Sequence, residues 1–272
     1  MSNTKQRIIS ALVMAALVII AVIIGKSTTL IAVLVVGVLC IDELLINFAK
    51  INREDFAYKY IIGFFSLFFI VLNGFNAKLS LLFFTAAAIF LNLFLIYYLF
   101  KIPMSKCFMK NSAVKHPGII AILVALPLLS FGIHINDASW REILGMLLIV
   151  TYSMDTGAWF VGKNFGKHKL WPAVSPKKTI EGFIGGMIVA GALGSLAWWY
   201  FFGDFRWYYS VIFALCGVIS QVGDLVQSKL KREFEIKDSS NLIPGHGGVY
   251  DRIDSLIFLS PFFVIVVKYL GQ

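Results

Sequence analysis

The chain has 272 residues, 59% of them apolar and 14% charged, with three cysteines and a formal net charge of +9. Soluble domains carry roughly 45–50% apolar and about 25% charged residues, and a protein of this size has too little interior to hide the excess. Water-soluble, disordered, collagenous and disulfide-scaffold classes are therefore excluded, and most of the apolar surface is expected to face lipid. In that setting the positive charge points to cytoplasmic loops and anionic head groups rather than to nucleic acid. Cys40, Cys107 and Cys216 have no metal or redox spacing and read as packing residues.

A hydrocarbon core of about 30 Å needs roughly 20 residues of helix. Nine spans are expected, at 8–25, 28–49, 60–75, 79–100, 118–133, 141–157, 181–202, 207–224 and 255–270. The first follows Lys5 and Arg7, but no small-residue cleavage site comes after it, so it is expected to be retained rather than removed as a signal peptide. With the N-terminus in the cytoplasm, 19 of the 24 lysines and arginines fall inside; Lys26, Lys78, Arg141, Arg206 and Lys268 fall outside. That asymmetry is what the positive-inside rule requires. The expected fold class is all-α: a polytopic membrane protein of about nine transmembrane helices with a cytoplasmic N-terminus.

The chemistry is unevenly spread. Residues 1–135 read as an N-terminal transmembrane bundle with short connections. Residues 136–272 read as a C-terminal transmembrane catalytic region with cytoplasmic loops at 158–180 and 225–254, dense in Gly, Lys, Ser, His and Asp. No inverted repeat of the transporter kind is present.

Ionisable groups in apolar spans are costly unless paired, which makes them functional candidates. Asp155 and Asp224 sit at the inner ends of the sixth and eighth spans, while Asp251 and Asp254 open the ninth on one helix face. Carboxylates gathered at one depth repel unless a cation sits among them, and Mg²⁺ favours one or two carboxylates plus phosphate oxygens. The plainer alternative is that each Asp caps a helix or pairs with a lysine. Asp42 and Glu43, in the second span, receive no assigned role.

Two segments favour phosphate. The stretch 162–182 brings Lys163, Lys167, Ser175, Lys178 and Thr179 together with turn glycines just before a helix N-terminus, where amides and dipole attract anions. It contains neither a P-loop nor a dinucleotide fingerprint. The stretch 228–255 combines basic groups, a Pro244-Gly245-His246-Gly247-Gly248 turn and a terminal Asp251-Arg252-Ile253-Asp254. His246 is read as serving the turn ahead of phosphate. In the seventh span Gly182, Gly186, Ala190 and Gly194 recur every four residues, a spacing that lets helix backbones pack closely.

Ser228, Lys231, Arg232, Lys237, Asp238, Pro244, His246, Gly247, Gly248, Asp251, Arg252 and Asp254 stand in the register of a known signature. Through them the chain resembles the phosphatidate cytidylyltransferase (CDP-diacylglycerol synthase) family. Asp155 to Phe160, Gly162-Lys163, Phe165 to Lys167 and Ser175 to Gly182 resemble it too, although Lys177 stands where members often carry Gly. The resemblance is detailed from about 150 to 255; the N-terminal half matches only in hydropathy. It implies transfer of the cytidylyl group of CTP to phosphatidate at the cytoplasmic face of the inner membrane. Asp224, Asp251, Lys231 and Arg232 would be catalytic, with Mg²⁺ on Asp224, Asp251 and Asp254 and room for a second cation. Asp155, Lys163, Lys167, Ser175, Lys178 and Thr179 would bind CTP; Arg232, Lys237, His246 and Arg252 would bind phosphatidate. The lipid bilayer is the other partner and a homodimer is allowed. A cation-coupled transporter and a CTP-dependent lipid kinase are the competing readings.

Overall fold

Long apolar runs leave the backbone no hydrogen-bond partners but its own, and the chain coils into helices for almost its whole length. The computed structural model describes residues 3–74 and 78–271. The last residue of the span expected at 60–75, and the Lys78 side chain counted as outward, lie outside the described residues. Among the described residues the helices are α1 (Asn3–Ile24), α2 (Lys26–Glu43), α3 (Phe56–Gly74), α4 (Lys78–Lys101), α5 (Phe108–Lys115), α6 (Gly118–Ser130) and α7 (Gly132–Ile135). They continue with α8 (Trp140–Phe165), α9 (Ile180–Phe202), α10 (Tyr208–Glu233) and α11 (Tyr250–Leu270).

Among the described residues eight helices are long and apolar enough to cross a membrane, matching eight of the nine expected spans. The chain is thus an all-α polytopic membrane protein, in which the described residues also form one antiparallel hairpin, β1 (Lys169–Trp171) and β2 (Ser175–Thr179). The ninth span, expected at 118–133, has other bounds. There α6 has only 13 residues, about 20 Å of helix, and it contains Pro127. It reaches membrane-crossing length only together with the preceding Met104–Lys115, from which it is bent by 87°.

The two long loops are also shorter than expected. Helix α8 runs on to Phe165 and α10 to Glu233, because Gly162-Lys163 and Ser228 to Glu233 continue the coil beyond their apolar stretches. A left-handed Glu235 (φ 60°) then stops α10.

The chain divides into two units, Met1–Leu91 with Ile102–Asn136 and Leu230–Ile253, and Asn92–Lys101 with Asp137–Lys229 and Asp254–Gln272. In the first unit α1 packs on α2, and α2 on α3 and α6. Gly37 of α2 lets Phe65 and Leu128 approach, since a β-carbon there would lie 2.7 Å from the Phe65 ring. Most of α1 is bare apolar surface, from Ile8 to Ile24, as suits a helix facing lipid.

In the second unit α8 and α9 are the most closely packed pair. A β-carbon on Gly182 would lie 2.6 Å from the Ala158 carbonyl, and one on Gly186 equally close to that of Met154. The four-residue glycine spacing of α9 is therefore architecture, with backbone laid against backbone. Buried Lys229 donates to the carbonyls of Tyr98 (2.6 Å) and Leu99 (3.0 Å), satisfying the end of α4.

Candidate functional site

In the second unit, the β1–β2 hairpin joins α8 to α9 and sets the α9 N-terminus. Thr179 is the cap: its Oγ1 accepts from the Gly182 amide at 3.1 Å. Glu181, in the first turn, reaches back to the chain leaving α8. Its carboxylate accepts from the amides of Lys167 (3.0 Å) and His168 (3.2 Å) and contacts His168 Nδ1 at 2.6 Å. The strand register then brings Lys177 and Lys178 toward α8 and α10.

The result is a pocket of about 400 Å³ within this unit. Asp155, Trp159, Gly162 and Lys163 of α8 line it, with Lys177, Lys178 and Thr179 of the hairpin and Gln221 and Asp224 of α10. Lys178 Nζ donates to Asp224 Oδ2, and Ser228 Oγ to Asp224 Oδ1 at 3.2 Å. Lys163 Nζ lies over the Trp159 ring, 4.9 Å from its centroid. Three lysines and two carboxylates thus face one space, an arrangement suited to a polyanion with a bound cation.

Four of the expected CTP ligands, Asp155, Lys163, Lys178 and Thr179, share this pocket. Lys167 and Ser175 are not among its lining: Lys167 is exposed with its amide on Glu181, and Ser175 is half-buried in β2.

The first unit holds the other signature segment. Asp251, with a side chain only 3% exposed, accepts from Lys231 Nζ (2.8 Å), Ser239 N (2.7 Å) and Gly248 N (3.0 Å). Gly247 is left-handed (φ 84°), and a β-carbon there would meet Asp251 Oδ2 at 2.7 Å. The glycine turn is thus folded tightly around a carboxylate.

Glu43, 2% exposed at the end of α2, does the same from the other side. It accepts from Ser239 Oγ (2.8 Å), Ser240 Oγ (2.7 Å) and the amides of Val249 (2.8 Å) and Tyr250 (3.1 Å). Its neighbour Asp42 pairs with Arg53 (2.8 Å) and accepts from the Tyr58 hydroxyl (2.6 Å). Both residues left without a role in the sequence are engaged, and Glu43 is one that sequence reasoning missed. The signal available was a carboxylate inside an apolar span.

Arg232, Lys237 and Arg252 are exposed around this turn. His246 lies among cations: partial burial, Arg252 and Arg7 together hold its imidazole below the usual histidine range. Its backbone amide donates to Ile243 O at 2.9 Å, closing the turn, while Nδ1 is buried without a partner among the described residues.

Asp224 and Asp251 belong to different units, and Asp254, which accepts from its neighbour Ser255 N, lies in the second. Within neither unit do the described residues gather three or more His, Cys, Asp or Glu side chains that could hold a metal. The donors present fit an ion that takes few protein ligands and keeps phosphate oxygens, as Mg²⁺ does: Asp224 is 29% exposed and lines the lysine pocket with Asp155. The Asp251 oxygens are already taken by three protein donors.

Comparison with known proteins follows the same lines. The model of the "Cytidylyltransferase family" matches residues 5–270. Over 120 residues the chain is 45% identical to the phosphatidate cytidylyltransferase of Bacillus subtilis (strain 168), covering 44% of this chain and 45% of that one. It is 44% identical over 122 residues to the protein of that name from Staphylococcus haemolyticus (strain JCSC1435). It is 45% identical over 122 residues to that from Staphylococcus aureus (strain COL), each time covering 44% of this chain and 46% of the relative. The matched stretch spans less than half the length of these curated relatives.

Proposed function

The chain belongs to the cytidylyltransferase family, and from that premise we propose that it is a phosphatidate cytidylyltransferase, a nucleotidyltransferase making CDP-diacylglycerol and pyrophosphate. The observation that carries this reading is the pocket where Lys163, Lys177 and Lys178 face Asp155 and Asp224 within one unit. It has the charge for a triphosphate and the acidic groups for its cation.

In this reading Lys163 and Lys178 bind the CTP phosphates, with Lys167 and Ser175 contributing from the adjoining hairpin. Thr179 and Glu181 hold that hairpin in place. Arg232, Lys237, His246 and Arg252 draw in the phosphate of phosphatidate, whose oxygen attacks the α-phosphorus as the bond to pyrophosphate breaks. That oxygen is ionised near neutral pH, so no strong general base is needed. Orientation and charge neutralisation by fixed lysines supply the acceleration. Lys231 holds Asp251, and Arg232 faces the incoming lipid phosphate.

Asp224 is proposed to hold Mg²⁺ in the lysine-lined pocket, where Asp155 also faces the space. Such an ion would screen the phosphate charge. A second cation and a homodimer are compatible with the reading and not required by it.

We further propose an inner-membrane location, in keeping with bacterial relatives, and a cytoplasmic site. Counting the bent α5–α6 pair as one crossing keeps nineteen basic residues on the side of the N-terminus; not counting it divides the twenty-four evenly. The positive-inside rule favours the crossing. Residues 136–272 are then the main catalytic region. The direct test is incubation of purified protein with CTP, Mg²⁺ and phosphatidate. CDP-diacylglycerol and pyrophosphate are expected only when all three are present. Formation of CDP would instead indicate a lipid kinase, and solute flux without turnover a transporter.

A further inference from the structure

We propose that Glu43 is a positioning residue for the reaction, a carboxylate on α2 that sets the shape of the segment carrying Asp251, His246 and Arg252. The inference rests on the activity proposed above and adds to it a role for the N-terminal part of the chain.

All four donors to Glu43 come from residues 239–250. Ser239 is held twice, by its hydroxyl on Glu43 and by its amide on Asp251. Gly248 fills the space between: a β-carbon there would lie 2.3 Å from Glu43 Oε2 and 2.0 Å from Ser239 Oγ. The two buried carboxylates therefore share one piece of backbone, and movement of either displaces the turn that both define. Glu43 also accepts from the first amides of α11, where a negative charge is favoured by the helix dipole. Among the described residues no Lys, Arg or His pairs with it, so its charge is balanced by hydrogen-bond donors alone.

The geometry is specific for a carboxylate. Oε1 accepts one hydroxyl and the Val249 amide; Oε2 accepts one hydroxyl and the Tyr250 amide. A glutamine in either orientation sets its NH₂ group against a backbone N–H, which can only donate. An aspartate is one methylene too short to reach all four donors.

The test uses the full-length chain purified in detergent. In Glu43→Gln, kcat/KM for phosphatidate should fall roughly tenfold or more, while the Kd for CTP measured without lipid stays within about twofold. Amide exchange at Val249 and Tyr250 should quicken, with α8 and α9 unchanged. Unaltered kinetics would overturn the proposal, and so would loss of CTP affinity in step with activity, the mark of a general structural defect. If Glu43→Gln does not accumulate, Ser239→Ala/Ser240→Ala, which keeps the carboxylate and the backbone donors, decides by the same split. If the wild type makes no CDP-diacylglycerol, the proposed activity falls, and the exchange measurement alone decides whether Glu43 shapes the turn.

Discussion

Lys231 Nζ lies 2.8 Å from Asp251 Oδ1, and the two side chains are 14% and 3% exposed. Removing one member of a withdrawn ion pair leaves an uncompensated charge, so Lys231→Met should destabilise the protein by about 3 kcal/mol. A lowered thermal midpoint in detergent checks this; an unchanged midpoint would mean the two amides on Asp251 suffice. Asp251→Asn should still insert into membranes, yet lose turnover.

Asp224 pairs with Lys178 at the pocket, its side chain 29% exposed. Its conversion to Asn should lower kcat by about a hundredfold or more, as for loss of one fixed electrostatic group, with membrane insertion intact. Near-normal turnover would remove the cation assignment. Under the proposed role of Lys178 in CTP binding, Lys178→Ala removes one charge-assisted hydrogen bond to phosphate, and the KM for CTP should rise about tenfold or more. Unaltered CTP dependence would take the hairpin out of the site.

The backbone contact of α8 with α9 gives a packing prediction. Gly186→Val should reduce accumulation of folded protein sharply, because its β-carbon meets the Met154 carbonyl at 2.6 Å. Gly63→Ala, where nothing lies within 4 Å, should accumulate normally. Comparable yields for the two, read by size-exclusion profile, would contradict the packing account.

His246 gives a pH dependence whose sign follows from its environment. Burial, Arg252 and Arg7 hold the imidazole below the ordinary value of 6.5, so the unfolded chain takes up its proton first. Stability therefore falls as pH drops through the mid-sixes toward the lower folded value. The thermal midpoint of the wild type should decline more between pH 7.5 and 5.5 than that of His246→Gln. Parallel declines would show that the histidine carries no such penalty.

Eight spans were readable because membrane crossing demands long apolar runs, and hydropathy records that demand. The bounds of the ninth were not readable, because apolar composition at 118–133 says nothing of the bend at its start or of Pro127 within it. Helix ends were placed too early at 157 and 224, since Gly162-Lys163 and Ser228 to Glu233 continue the coil with polar side chains. Asp155, Lys163, Lys178 and Thr179 were expected from the sequence to share one site, and they line one pocket. Glu43 was not: its partner Ser239 is 196 residues away, and no local pattern encodes a contact of that range.

The lysine-lined pocket is proposed to serve cytidylyl transfer to a lipid phosphate. Purified protein given CTP labelled at the α-phosphate, Mg²⁺ and phosphatidate should move label into the chloroform phase, and the Asp224→Asn protein should not. Label that stays aqueous in the wild type, or moves equally well in the variant, would contradict the account.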